Sequence, residues 1–76
     1  MKRINLVNVI ELNFGVVSDI AHFTNPEDAE KCFREWMDEN VPVDELKNLD
    51  INDVLDDGFY ETGDMGICIV HSTLNL

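Results

Sequence analysis

Residues 24–40, TNPEDAEKCFREWMDEN, constrain the fold more than any other stretch. Asn25 is a good N-cap, Pro26 fits the first helical position, and Glu27 and Asp28 place negative charge at the positive end of a helix dipole. The spacing predicts a helix starting at Pro26 and closed by Asn40 and Pro42. Ala29, Cys32, Phe33, Trp36 and Met37 recur at i, i+3, i+4, i+7 and i+8, so its apolar residues form one stripe. Glu27 with Lys31 and Glu30 with Arg34 are spaced as i, i+4 pairs on the solvent side, each worth about 0.2–0.5 kcal/mol. A helix with a single apolar face must lie on something, and the flanking segments say what that is.

Residues 4–12, INLVNVIEL, alternate as a strand. Ile4, Leu6, Ile10 and Leu12 share one face, and Asn5, Val7, Val9 and Glu11 share the other. Asn8 interrupts the first set, which predicts a bulge or an edge position there. Asn13-Phe14-Gly15 reads as a turn, with Asn and Gly as the residues tolerant of positive φ. Val16 to Phe23 reads as the returning strand; Val16, Ile20 and Phe23 also suit a helix, but the β-branched content favours the hairpin. Past the helix, one helical turn is expected around Asp44 to Leu49, then an irregular segment or second short turn. Phe59 to Thr62 reads as a strand, Gly63 to Gly66 as a turn, and Ile67 to Thr73 as a strand apolar on both faces, which places it at a sheet's centre. The expected architecture is α+β: a small antiparallel sheet of three to four strands with one amphipathic helix on one face, in the order β-β-α-short helical connector-β-β.

A chain of 76 residues makes a single domain, 1–76, with one core. MKRINLVNVIEL begins with basic residues before apolar ones, yet Asn5, Asn8 and Glu11 interrupt it and no small-residue cleavage site follows, so it does not read as a signal peptide. No stretch approaches the roughly 20 apolar residues of a membrane span. The expected location is the cytoplasm, with no membrane partner.

Sixteen acidic residues against five basic ones give a net charge of −11. That balance argues against nucleic acid as a direct ligand, because phosphate binding requires Lys and Arg. The acidity is regional: residues 38–64 hold ten of the acids and one base, Lys47, and residues 65–76 hold no Asp, Glu, Lys or Arg. Within that region DINDVLDDGFYETGD gathers carboxylates around Gly58. As a calcium loop it fails, since placing Gly58 sixth makes Asp53 and Asp57 ligands but puts Leu55 at the third ligand position and Asp64 where a bidentate Glu belongs. Asp57-Gly58 then reads as punctuation before a strand. Asp50, Asp53, Asp56, Asp57, Glu61 and Asp64 form the candidate partner-binding set, suited equally to a recognition surface and to a solvated loop.

Other chemistry finds little footing. Cys32, Cys68, His22 and His71 lie in no C-x-x-C or H-x-x-x-H spacing, so no metal site is assigned, and both thiols read as small hydrophobes. A helix crossing the last strand would nevertheless bring the two sulfurs close. His71 and Ser72 are strand neighbours that point to opposite faces and cannot act as a dyad. No catalytic residue and no cofactor are assigned.

In size, acidity and two-layer α+β build the chain resembles the small inhibitors encoded by phages and mobile elements, including anti-CRISPR and anti-restriction DNA mimics. Its hairpin, its helix opening FTNPEDAEKCF and its late strand ICIVHS also resemble many small bacterial proteins of unassigned function. The resemblance is one of type and transfers no functional position. It implies a non-enzymatic protein-binding module, with an acidic inhibitor of a partner bearing a basic, nucleic-acid-binding surface as the sharper form. A structural or self-associating domain that dimerises through its sheet edge or face is the alternative, and a small metal-binding protein the third.

Overall fold

The computed structural model describes residues 2–75. Its elements are β1 (Arg3–Asn13), β2 (Val16–Phe23), α1 (Pro26–Asn40), α2 (Val43–Leu46), α3 (Ile51–Asp57), β3 (Phe59–Thr62) and β4 (Met65–Asn75). The four strands form one antiparallel sheet in the order β2-β1-β4-β3. The expected α+β architecture and element order are therefore found. The apolar run of β4 lies inside the sheet, between β1 and β3.

Local chemistry sets the helix ends. The Asn25 side chain accepts the Glu27 N–H at 2.9 Å, Pro26 opens α1, and the Val41 N–H closes it on the Met37 carbonyl at 2.9 Å. Ala29, Phe33, Trp36 and Met37 are buried, as the stripe requires, and Arg34 donates to the Asn52 side chain of α3 at 3.5 Å. Where an irregular segment or a second short turn is expected, Ile51–Asp57 forms the short helix α3. Asp50 caps α3 by accepting the Asn52 N–H at 3.0 Å, and Gly58, with φ of 71°, ends it in the left-handed conformation that glycine adopts without penalty. Seven residues are too few for a 3.6-residue period to show in the sequence.

The first hairpin corrects the turn assignment. Asn13 pairs with Val16, leaving Phe14 and Gly15 as the loop, with φ of 54° and 76°. Two positive φ values mark the mirror-image turn that matches the twist of flanking strands. Phe14, rather than Asn13, therefore occupies the left-handed region, at a cost of about 1–2 kcal/mol for a residue with a Cβ. Its N–H donates to the Asp64 carbonyl at 2.7 Å and so joins the two hairpin tips.

Asn8 needs a second correction. It sits on neither an edge nor a bulge: β1 is an inner strand, and the register shift lies between Glu11 and Leu12. What holds a polar residue there is described below.

The helices cover one face of the sheet. Val7, Val9 and Ile67 meet Phe33, Trp36, Met37 and Val54 in the core, with Phe23, Tyr60 and Ile69 packed around them. Glu45 of α2 ties this layer to β3 by accepting the Thr62 hydroxyl at 2.9 Å. Burial, and then the Glu45 carboxylate, push the Tyr60 phenol up from its usual value.

Candidate functional site

The register assigns every strand residue to a face. Val7, Val9 and Glu11 pair with His71, Ile69 and Ile67 and lie on the helical side. Ile4, Leu6, Asn8, Ile10 and Leu12 pair with Leu74, Ser72, Val70, Cys68 and Gly66 on the other. Ile20 and His22 of β2 and Phe59 of β3 join this second face through their pairing with Ile10, Asn8 and Cys68. No described helix packs there. Val17, Ile20, Phe59, Val70 and Leu74 are each between 44% and 51% exposed, too much for a closed core. Phe14, 75% exposed, stands at the hairpin end of the same face, beside a shallow depression of about 390 Å³ lined in part by Leu12, Glu61 and Gly66.

Uncovered apolar patches of more than a few hundred Å² are rare on monomeric soluble proteins and mark interaction sites. Within the described strands, Glu61 supplies the one charge on this face. It pairs with Gly66, and its Cγ lies 3.4 Å from where a Gly66 Cβ would stand.

The face has a polar centre. The Asn8 amide nitrogen donates to the Val70 carbonyl at 3.0 Å and to the Ser72 hydroxyl at 2.9 Å, while its oxygen lies 2.6 Å from His22 Nδ1. An amide oxygen only accepts, so Nδ1 carries the hydrogen. Asn8 is thereby satisfied at 9% exposure, which explains its place among apolar neighbours. The trio lacks the order of a nucleophilic relay: Asn8 separates Ser72 from His22, so the hydroxyl has no base to take its proton. The sequence does carry a signal for part of it, because Asn8 and Ser72 are each a polar interruption in an otherwise apolar alternate set.

The acidic set is divided by the fold. Asp50, Asp53, Asp56 and Asp57 are exposed on α3 or its cap, in the helical layer, with Asp50 engaged as the N-cap. Glu61 lies on the opposite side of the sheet, and Asp64 in the β3–β4 turn. Six residues read as one surface thus become a group of four in the helical layer and two at the hairpin end. The helical layer also holds Glu27, Asp28, Glu30, Glu35, Asp38 and Glu39, all exposed. The molecule is two-sided, carboxylates over the helices and apolar groups over the sheet.

On the helical side, Glu11 faces Asp19 across the β1–β2 ladder. Burial first, then Asp19 and Glu39, push the Glu11 carboxyl above its ordinary value of 4.5. Burial, followed by Glu11, Glu35 and Asp19, pushes the Cys32 thiol up as well, away from the reactive thiolate. Cys68, paired with Ile10 and Phe59, is on the far side of the sheet from Cys32, so the two sulfurs are not brought together; neither forms a disulfide. Among the described residues no group of three His, Cys, Asp or Glu side chains is placed to hold a metal ion, and no helix is long and apolar enough to cross a membrane.

Comparison with protein-family models, curated proteins and solved structures finds no match to this chain.

Proposed function

We propose that this protein is a non-enzymatic protein-binding module whose contact surface is the sheet face turned away from the helices. One observation carries the reading: the alternate set richer in apolar residues, Ile4, Leu6, Ile10 and Leu12 with Cys68, Val70 and Leu74, lies on the side without a helix. A domain of this size gains stability from every apolar residue it covers. Leaving that set half-buried, with Val70 and Leu74 exposed, carries a cost that a partner's surface removes.

A second reading keeps the acidic inhibitor, now reduced to the helical layer. Four exposed carboxylates, Asp50, Asp53, Asp56 and Asp57, gather on one short helix and its cap, where they would steer toward a basic groove. Capture of partners from a host lysate by immobilised protein separates the two readings. The sheet-face reading expects capture to survive a rise from about 50 to about 200 mM salt, to survive Asn at Asp53, Asp56 and Asp57, and to be lost in Val70→Glu. The acidic reading expects the reverse in all three respects. Capture unaffected by Val70→Glu overturns the sheet-face proposal.

A further inference from the structure

We infer that the outer edge of β4 over residues 70–75 is a strand-addition site that takes an extended, basic segment of another protein. The inference concerns an edge of the sheet rather than its uncovered face, and it stands without the sheet-face reading. β1 and β4 pair along their whole length, from Arg3 with Asn75 to Asn13 with Met65, without a register shift. β3 covers the far side of β4 only from Met65 to Cys68, and the last contact is the Ile69 N–H donating to the Gly58 carbonyl at 2.8 Å. That bond fixes a direction. Ile69 turns its backbone groups outward, away from β1, and in a regular ladder every second residue does the same. The N–H and C=O groups of His71, Thr73 and Asn75 therefore point outward, and no described residue pairs with β4 on that side past Ile69. An unfilled ladder at strand spacing is a template for the backbone of another chain.

The other edges are blunted. β2 bulges at Ser18, because Glu11 pairs with Asp19 and Leu12 with Val17, and the Asp19 carboxylate accepts the Ile20 N–H at 2.9 Å. A bulge and a charge both discourage edge pairing. β3 is four residues long and carries Glu61. β1 is open on its β2 side over residues 3–6, but it carries Arg3, and Thr24 and Pro26 stand beside Asn5 there. Residues 70–75 of β4 hold no Pro, no Asp, Glu, Lys or Arg and no bulge, and all are exposed.

Charge decides between a foreign strand and a second copy. Two copies paired antiparallel through this edge are related by a two-fold axis normal to the sheet, which keeps both helical layers on one side and sets them next to each other. Self-pairing thus brings two carboxylate-rich layers together in a protein of net −11. A basic segment meets attraction instead, and the attraction has a polarity. Gly58 ends α3 at the inner end of the open edge, so the exposed Asp56 and Asp57 stand there, while Arg3, paired with Asn75, stands at the outer end. A strand antiparallel to β4 and in line with β3 therefore carries Lys or Arg near its C-terminal end and none at its start. Its residues opposite His71 and Thr73 turn toward the helical side, and those opposite Val70, Ser72 and Leu74 extend the apolar face. Backbone hydrogen bonds then give affinity, and the alternation gives specificity.

Fluorescence anisotropy of the whole chain with a labelled peptide, acetyl-Thr-Val-Thr-Val-Lys-Val-amide, tests the inference. The first residue is set opposite Asn75 and the last opposite Val70. Saturable binding is expected below about 1 mM. N-methylation of the third residue, whose amide faces Thr73, should weaken binding at least about tenfold, whereas N-methylation of the fourth, whose amide faces away, should change it less than about threefold. Moving the lysine to the first position should weaken binding about two- to fivefold, and tighter binding there overturns the stated polarity. Thr73→Pro should fold, since β1 does not use that N–H, and should lose the peptide. Circular dichroism checks the fold, and the methylated pair decides the matter if that variant does not fold. Amide exchange at His71 and Thr73 should be fast in the free chain and at least about tenfold slower with saturating peptide. Absence of saturable binding, equal loss from the two methylations, or unchanged exchange at both amides overturns the inference. Slow exchange in the free chain together with a dimer in sedimentation places a second copy on the edge and overturns it too. Lysate capture that Val70→Glu abolishes and Thr73→Pro leaves intact keeps the sheet-face reading and removes this one.

Discussion

Replacing Phe14 with Asn is expected to stabilise the folded monomer, an unusual outcome for removing a large aromatic side chain. Phe14 has φ of 54°, and the left-handed region costs a residue with a Cβ about 1–2 kcal/mol. Asn visits that region far more readily, and Asn-Gly is the preferred pair for this turn, so the substitution recovers about 1 kcal/mol. Against this stands the ring's lost contact. At 75% exposure only about a quarter of the ring is shielded, and a quarter of the roughly 1.5–3 kcal/mol for full burial is about 0.4–0.8 kcal/mol. The backbone bond from residue 14 N–H to the Asp64 carbonyl is kept. The net gain is about 0.5 kcal/mol, and with an unfolding entropy near 0.16 kcal/mol/K for 76 residues, Tm should rise by about 3 °C.

Urea and thermal unfolding of Phe14→Asn, Phe14→Ala and Phe14→Gly beside the parent measure the effect. Ala retains the strain without the ring and should fall below the parent by about 0.4–0.8 kcal/mol. Gly relieves the strain but adds chain entropy of about 0.5–1 kcal/mol to the unfolded state, and should lie near the parent. If Asn and Ala prove equally destabilised, backbone strain at position 14 is not the controlling term and the reasoning is wrong.

Glu11→Gln should stabilise the protein at neutral pH by about 0.2–1 kcal/mol, through removal of a like-charge cross-strand pair with Asp19. The raised carboxyl binds its proton more tightly when folded, so its contribution is present below the ordinary value of 4.5 and is lost as pH climbs through the raised one; thermal melts between about pH 4 and pH 7 should fall less steeply with pH in the Glu11→Gln variant than in the parent. Asn25→Ala, by stripping the cap from the Glu27 N–H, should cost about 0.5–2 kcal/mol in urea unfolding, and an unchanged midpoint would show the cap to be idle. Gly66→Ala should be tolerated within about 1 kcal/mol. A Cβ there meets Glu61 Cγ at 3.4 Å and Leu12 Cδ1 at 3.6 Å, near ordinary contact, and a loss beyond about 2 kcal/mol in the same assay contradicts that geometry.

The cap and stripe of α1 are legible in the sequence because fifteen residues give four turns for a period to show, and because Asn25 and Pro26 act locally. The hairpins are legible as hairpins, but the conformations at the first tip are not. Composition names Asn13 and Gly15 as tolerant of positive φ, whereas the pairing of Asn13 with Val16 forces the requirement onto Phe14. Alternation in β1 separates two faces without telling which one the helices cover, since both contain apolar residues. The answer depends on α1 meeting Val7 and Val9, a contact between distant segments. The acidic set illustrates the same gap: Asp57 and Glu61 are only four residues apart in sequence, yet a helix end and strand alternation send them to opposite layers. Asn8 reads as a defect in a pattern because its partners, His22 and Ser72, lie on other strands.

The full-length pairing of β1 with β4 has a kinetic consequence. The ladder joins Arg3 to Asn75 and Asn13 to Met65, so the sheet's middle is built from its most distant segments. Such non-local pairing slows folding, because a long loop must close before its contacts repay the entropy. During synthesis at about 5–20 residues per second, β1 and β2 emerge several seconds before β4. Over that interval one edge of β1 has backbone donors and acceptors without a ladder partner. The nascent hairpin is then most open to pairing with the wrong strand, and variants that delay β4 should lower soluble yield without lowering the equilibrium stability of molecules that complete the fold.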